Sequence, residues 1–561
     1  SQLFAALRSR GSRTALCAAF STLVSLPAVT DDEEIGPDAA ALVDLAAILE
    51  KLNAFDEDAI DERNYDLRLE AYNQVPPIIE IASARVALPI LAHAIHDAEL
   101  DDIALKHSAA HTITLLVKHA AAQPAESAHA ALLTRVLMPA LRRGLRLPPE
   151  RDALRQDVIR LLGSTLVVMP QLQPELASLT SAHEPEADFF HNVTHVQMPR
   201  RQRALARLRQ KVSAGSLGVP TLSGYLLPML RHMVLRDAPK EVDVADEAVQ
   251  TLRELAARLP WRPYLSTVQA FTRMLTRVPH LEKRLVRALV AILDVFHFDL
   301  TVEDPVEASA DVQADGAEAG ADGDASKTNE GDGEEEEGEE GEGDGEGDGA
   351  ALADGKDLED AKARAASVMN SVRGKLLPEL YGHLKDPKTE GVRVTVALAV
   401  LKLLLLMPDK MLQAELRGFL MRVVATLGSR NIALRQQGRE TLAKVAIELG
   451  PAHFNSVVHE MATSLTKGYQ LHVLGFSLHH LLVKLAPEIE VGAIDDTMGR
   501  LVKLLLLDLL GEAAQKRDVD AIAASMKEAR ATKSYASFEL LAKVVQFVPN
   551  INMLVPPLYA A

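Results

Sequence analysis

Apolar positions along this chain recur at helical spacing, and short polar or proline-bearing turns separate the runs. In 431–449, Leu434, Gly438, Leu442, Val445 and Leu449 fall on one helical face. Gly450-Pro451 ends the run, because glycine takes the left-handed cap and proline cannot continue a helix. A second helix is predicted over 453–465, closed by Lys467-Gly468, and a third over 471–485, closed by Ala486-Pro487. The stops at Pro451 and Pro487 lie 36 residues apart and enclose a helix, a tight turn and a helix. The same unit recurs at 88–95 into 103–117, 132–141 into 153–167 and 221–235 into 242–259, then from Pro260-Trp261 to near Phe298. No alternating stretch is long enough for a sheet. One amphipathic helix cannot bury its apolar face alone, so neighbours must stack. The pattern predicts an all-α, HEAT-like α-solenoid of antiparallel helix pairs. The Trp, Gly, Tyr and Pro signature of tetratricopeptide repeats is absent.

Composition agrees with helices and then divides the chain. Of 561 residues 48% are hydrophobic but only 4% aromatic, so the cores are mostly Leu, Ala and Val. The formal net charge is -18, but 303–360 holds 24 acidic residues against 2 Lys, a local net of -22 that leaves +4 for the rest. That stretch also carries 12 of the 31 glycines. Such a run buries too little apolar surface to offset its ordering entropy, and it reads as a disordered acidic spacer. The predicted organisation is a solenoid block at 1–302, the linker at 303–360 and a second block at 361–561. One cysteine, Cys17, excludes an internal disulfide framework and a multi-Cys zinc site, and points to a reducing compartment. The apolar runs 396–401 and 504–507 stop at Lys402 and Asp508, far short of the roughly 20 residues needed to cross a bilayer. Arg8, Arg10 and Arg13, with no acid in the first 30 residues, resemble a transit peptide, but a chain starting at Ser1 reads as an internal piece of a longer protein.

The search for chemistry yields no catalytic, cofactor or metal site. No P-loop is present. Gly341, Gly343, Gly345 and Gly347 imitate a dinucleotide fingerprint without a preceding strand. Asp322 and Asp324 begin like a calcium loop, but Lys327 stands where the turn needs glycine. His191 and His195 could share a helical face, yet Asn192 replaces the glutamate a zinc protease requires, so they read as surface or packing histidines. His479 and His480 are adjacent and diverge on a helix. Cys17 reads as a small buried hydrophobe.

Basic clusters carry the stronger signal. The stretch 198–211, MPRRQRALARLRQK, holds Arg200, Arg201, Arg203, Arg207, Arg209 and Lys211 with no acid. On a helix Arg200, Arg203 and Arg207 form one stripe and Leu205, Leu208 and Val212 another, which suits an apolar face packed and an arginine face offered to phosphates. Two readings stay open there: contact with RNA or an acidic partner, or ties to neighbouring turns. Arg142, Arg143 and Arg146, and Arg430, Arg435 and Arg439, form two further clusters, for which ties between turns come first. No aromatic alternates with the arginines of 198–211, so base stacking is not predicted.

Four non-repeat blocks in order resemble one family. They are IDERNYDLRLEAYNQV at 60–75, DFFHNVTHVQMPRRQRALARLRQKV at 188–212, LTKGYQLHVLGFSLHHLL at 465–482 and SMKEARATKSYASFELLAKVV at 525–545. The sequence is similar to the very large HEAT-repeat component of the small-subunit processome, the down-regulated-in-metastasis family. The acidic insert departs from that family in length and composition. The resemblance implies a nucleolar, non-enzymatic scaffold without cofactors, associated with box C/D snoRNP and processome proteins and required for 18S rRNA maturation. It implies no membrane and no small-molecule substrate, and leaves direct contact with pre-rRNA or snoRNA open. The alternatives are a HEAT-repeat nuclear transport receptor, which would favour a strongly acidic concave face, and a scaffold subunit of a kinase or phosphatase complex.

Overall fold

The computed structural model describes residues 10–33, 35–56, 62–300, 353–384, 396–466, 470–511, 528 and 533–560. Among these residues there is no strand, only one bridge between Phe55 and Arg63. The fold is all-α. The chain divides into two compact units, one of 1–297 with 383–402 and 431–445, the other of 298–382, 403–430 and 446–561. The acidic insert lies outside the described residues as far as 352, and from Ala353 the backbone is helical.

In the first unit the helices are α1 (Arg10–Val24), α2 (Ala39–Leu52), α3 (Tyr65–Ile81), α4 (Ala84–Asp97) and α5 (Ile103–Ala121). Helix α6 joins Ala128–Leu132, a π turn Leu133–Leu137 and Met138–Gly144. Then come α7 (Asp152–Val168), α8 (Phe189–Val193) and α9 (Met198–Ser213). Helix α10 joins Val219–Thr221, a π turn Leu222–Leu226 and Leu227–Leu235. Helices α11 (Val242–Ala256), α12 (Trp261–Arg277) and α13 (Glu282–Leu293) complete this run. Polar side chains cap the helix starts: Asn64, Asp102, Ser127 and Asp188 accept from the backbone N–H three residues on.

Packing is local, as stacking requires. Helix α3 packs on α2 and α5, α5 on α4 and α7, and α11 on α9, α10 and α13. Each helix thus touches its pair partner and the corresponding helix of the next pair, and their apolar stripes close the core between two layers. Leu49, Val75, Ile90, Leu162, Leu205, Leu252 and Leu289 are fully buried there. The second unit repeats the pattern: Asp409–Val424 packs on Phe454–Ser464, and Ser534–Val544 on both Gln470–Leu485 and Met498–Leu510. Predicted helix ends hold closely. The helix predicted over 431–449 spans Ile432–Leu449, and Gly450 takes the positive φ of 76° that ends it.

One repeat feature escaped the sequence reading. Four helices carry a related motif around a proline: Ala87-Leu88-Pro89-Ile90-Leu91, Leu137-Met138-Pro139-Ala140-Leu141, Leu226-Leu227-Pro228-Met229-Leu230 and Leu376-Leu377-Pro378-Glu379-Leu380. In the last three a five-residue π turn ends two residues before the proline. A proline has no N–H to give the carbonyl four residues back, and its ring presses on that carbonyl. Widening by one residue relieves the clash without breaking the helix. The residues four back are Arg135, Gly224 and Gly374, each inside its π turn.

Candidate basic interface

Helix α9 folds as its periodicity requires. Leu205, Leu208 and Val212 are buried against α11, while Arg203 and Arg207 are exposed. The arginines do not form a free outward row. Arg201 sits four residues before Leu205, on the apolar face, and is buried; its guanidinium meets Glu241 at 2.9 Å. Arg209 meets Glu247 on α11 at 3.2 Å. The other cations brace the loop that precedes α8. Arg200 reaches the Glu186 carboxylate at 3.5 Å, Arg207 donates to the Glu186 carbonyl, and Lys211 donates to the Ser178 carbonyl at 2.5 Å. Among the described residues Arg203 donates only to the Pro199 carbonyl of its own helix, at 3.3 Å. Between α9 and this loop lies a cleft of about 510 Å³ with Arg207, Lys211, Glu186 and Asp188 on its walls. Of the six cations expected to contact RNA or an acidic partner, Arg201 faces the core, and the donors of the other five already have acceptors.

The second cluster behaves differently. Arg142 and Arg146 are exposed on and just after α6, and 127–147 contains no acid. Gly224 of α10 lies directly below Arg142: a Cβ there would stand 2.9 Å from Arg142 Nε. The missing side chain lets the guanidinium lie across α10, 6.0 Å from the Tyr225 ring centroid. Arg231, two turns along α10, is held below the usual arginine range by burial and then by the positive charge of Arg146. No carboxylate pairs with Arg142, Arg146 or Arg231 among the described residues. Arg143, 71% exposed, stands 3.9 Å from Glu99. Two acid-free helical arms, 127–147 and 213–236, thus bring three uncompensated guanidiniums to one side. In the third cluster Arg430 is exposed, but Arg435 and Arg439 are buried and belong to no outward surface.

Comparison with known proteins decides the family. Residues 1–148 match the model described as U3 small nucleolar RNA-associated protein 20, N-terminal, and residues 384–561 match the U3 small nucleolar RNA-associated protein 20 domain. The chain belongs to the U3 small nucleolar RNA-associated protein 20 family. It is 25% identical over 524 residues to the Schizosaccharomyces pombe protein of that name, covering 92% of this chain and 20% of the relative. It is 24% identical over 534 residues to the Saccharomyces cerevisiae protein, covering 93% and 19%. The chain therefore spans about a fifth of the length of these curated relatives. The resemblance drawn from the four ordered blocks is borne out. Among solved structures, Kap121p bound to Nup53p aligns at 13% identity over 98% of this chain and 53% of that one, with a TM-score of 0.29. A Kap95p complex with RanGDP aligns at 12% over 97% and 69%, with a TM-score of 0.34. Scores at that level support no argument about function.

Within this family the arginine helix lies between the two matched regions, at 198–213. Arg231 was missed because nothing in its own segment marks it; only packing of α10 beside α6 brings it to Arg146. The burial of Arg201 was legible, since 201, 205, 208 and 212 share one helical face. His191 and His195 stand edge to face at 5.9 Å, and no group of three or more metal-ligating side chains is assembled among the described residues. Cys17 is buried, its Sγ is 3.6 Å from the Leu49 carbonyl, and burial pushes its thiol up to about 11, away from nucleophilic use. No helix among the described residues is long and apolar enough to cross a membrane.

Proposed function

We propose that this chain is a non-catalytic scaffold segment for early assembly of the small ribosomal subunit, working in the nucleolus. It would hold pre-rRNA, box C/D snoRNP and processome proteins together for 18S rRNA maturation. The observation that carries the reading is the family: two models of U3 small nucleolar RNA-associated protein 20 match the two ends of the chain. A stacked-helix surface supports it, since solenoids offer long faces on which several partners can be held. Two solenoid blocks, 1–302 and 361–561, joined by the acidic linker 303–360, remain the proposed working organisation.

The RNA contact we favour is the Arg142, Arg146 and Arg231 face. Its guanidiniums have no carboxylate partner among the described residues, so phosphates would displace no pairing seen there. Arg203, Arg207 and Lys211 form a second contact line, since the carbonyls they donate to lie at the surface, where phosphate oxygens could take their place. The test is ultraviolet crosslinking in cells with the whole protein. Wild type should map to pre-ribosomal RNA, and loss of those sites on changing Arg142, Arg146 and Arg231 to Glu supports direct contact. A wild-type protein that yields no such crosslinks and does not sediment with large pre-ribosomal particles would overturn the reading.

A further inference from the structure

The α6–α10 face carries one more cation, and its other side chains bear on which RNA it can take. Exposed positions of α6 recur at 131, 135, 139, 142 and 146, three or four residues apart, so they form one stripe along the helix. Arg135, Arg142 and Arg146 stand on that stripe. Arg135, like the other two, is exposed and meets no carboxylate among the described residues. At ~1.5 Å per residue the three span about 16 Å. Arg231 adds a point from α10, near enough to feel the charge of Arg146.

The row is ordered before any partner arrives. Its cations stand on helices, and Arg142 lies in the space that Gly224 leaves, 6.0 Å from the Tyr225 ring centroid. Cations held at set distances suit phosphates that are also held at set distances. A partner that must first order its own chain gives up part of the binding energy. A double helix offers fixed phosphate rows, whereas a single strand does not.

The same face holds few groups that read bases. Segments 127–147 and 213–236 contain no Trp, Phe, Asn, Gln, Asp or Glu. Their rings are engaged inward: Tyr225 is buried, His232 Nε2 meets Asp152 at 2.6 Å, and His129 Nε2 lies 2.9 Å from the Ala82 carbonyl. Single-strand binders rely on exposed rings on which successive bases stack. Base-edge readers use amide and carboxylate side chains beside arginine. Double-stranded RNA is met instead through its phosphates and shape, because its deep, narrow major groove shuts side chains out.

We propose that Arg135, Arg142, Arg146 and Arg231 bind the phosphate backbone of double-helical RNA without reading its base sequence. The proposal rests on the RNA reading of this face and names the class of RNA that the face takes. Each guanidinium grips phosphate oxygens as a fork, and the duplex supplies them in a fixed row.

The experiment is fluorescence anisotropy of the 561-residue chain with a labelled RNA duplex, its two separated strands and a duplex of scrambled sequence. The duplex should bind about tenfold or more tighter than either strand, since the strands gain no stacking here. The scrambled duplex should bind within about threefold of the first. Changing Arg135, Arg142 and Arg146 together to Gln should abolish the duplex advantage and lower the salt slope by about 2 to 3. A control triple, Arg160, Arg253 and Arg287 to Gln, removes equal charge from cations paired with Asp157, Glu254 and Asp246 and should keep the advantage. Should the α6 triple lose its helical circular dichroism, its three single variants decide instead, each costing about one unit of salt slope. Duplex and strands bound equally, and both weakened by the α6 triple, would sink the duplex proposal while the RNA contact stands. RNA binding that the α6 triple leaves untouched would remove both. An equal loss in the control triple would reduce the effect to bulk charge and overturn the proposal.

Discussion

Helix α9 and the α6–α10 pair are two basic regions of the first unit, and they use their arginines in opposite ways. Helix α9 has the denser sequence signal, six bases without an acid, yet Glu186, Glu241 and Glu247 from other segments reach Arg200, Arg201 and Arg209. The α6–α10 pair has a sparser signal, yet no carboxylate reaches Arg142, Arg146 or Arg231 among the described residues. Charge density along a chain counts bases; whether a base is available depends on which acids the fold brings to it. In a stacked-helix protein those acids come from the next pair, tens of residues away, so local counting misjudges both helices.

The sharpest way to break this contrast is at Arg201. Arg201→Ala removes one side of a buried pair and should destabilise the chain by about 3 kcal/mol in urea unfolding, at the low end for such pairs because Arg236 still meets Glu241. A loss near zero would mean that Arg201 is not engaged as described. Changing Arg142, Arg146 and Arg231 together to Gln should leave unfolding nearly unchanged but lower the salt slope of RNA binding by about 2 to 3, one phosphate per guanidinium. An unchanged slope would remove these residues from any RNA contact.

A pH series separates the regions further. The Asp152 carboxyl is lowered from 3.8 to about 2, so the unfolded chain takes up its proton first on acidification. The stability it contributes is fully present above about 4 and is lost as pH falls toward 2. Asp152→Asn should flatten that part of the stability profile, while changing Arg142, Arg146 and Arg231, which meet no carboxylate among the described residues, should leave it unaltered. The smallest effect belongs to Arg203: its removal should change stability by no more than about 0.5 kcal/mol, because only its own helix accepts from it. A larger loss in thermal unfolding would expose a contact the account lacks.

Most of the fold was legible in the sequence. Apolar stripes, short polar turns and Gly-Pro stops are local, and the helices they predict stand within a few residues of those observed. The repeated Leu-containing proline motif was equally local but was passed over, because the predicted helices 88–95, 132–141 and 221–235 run through their prolines without remark; at Pro139, Pro228 and Pro378 a π turn absorbs the proline. The candidate interface was legible only in part. The inward face of Arg201 could be read from its register with Leu205 and Leu208. The pairing of Arg209 with Glu247 and the meeting of Arg146 with Arg231 could not, since each depends on how two helix pairs stack. Gly224 shows the same limit: its role is to leave room for Arg142, a residue 82 positions earlier.

The central proposal is that the uncompensated arginines Arg142, Arg146 and Arg231 meet RNA ahead of the denser α9 cluster. Crosslinking with sequencing in cells tests it with three whole proteins: wild type, Arg142/Arg146/Arg231→Glu, and Arg200/Arg203/Arg207→Glu. The account predicts that wild type maps to pre-ribosomal RNA, that the first variant loses those sites, and that the second keeps most of them. Loss in the second variant with retention in the first would contradict it.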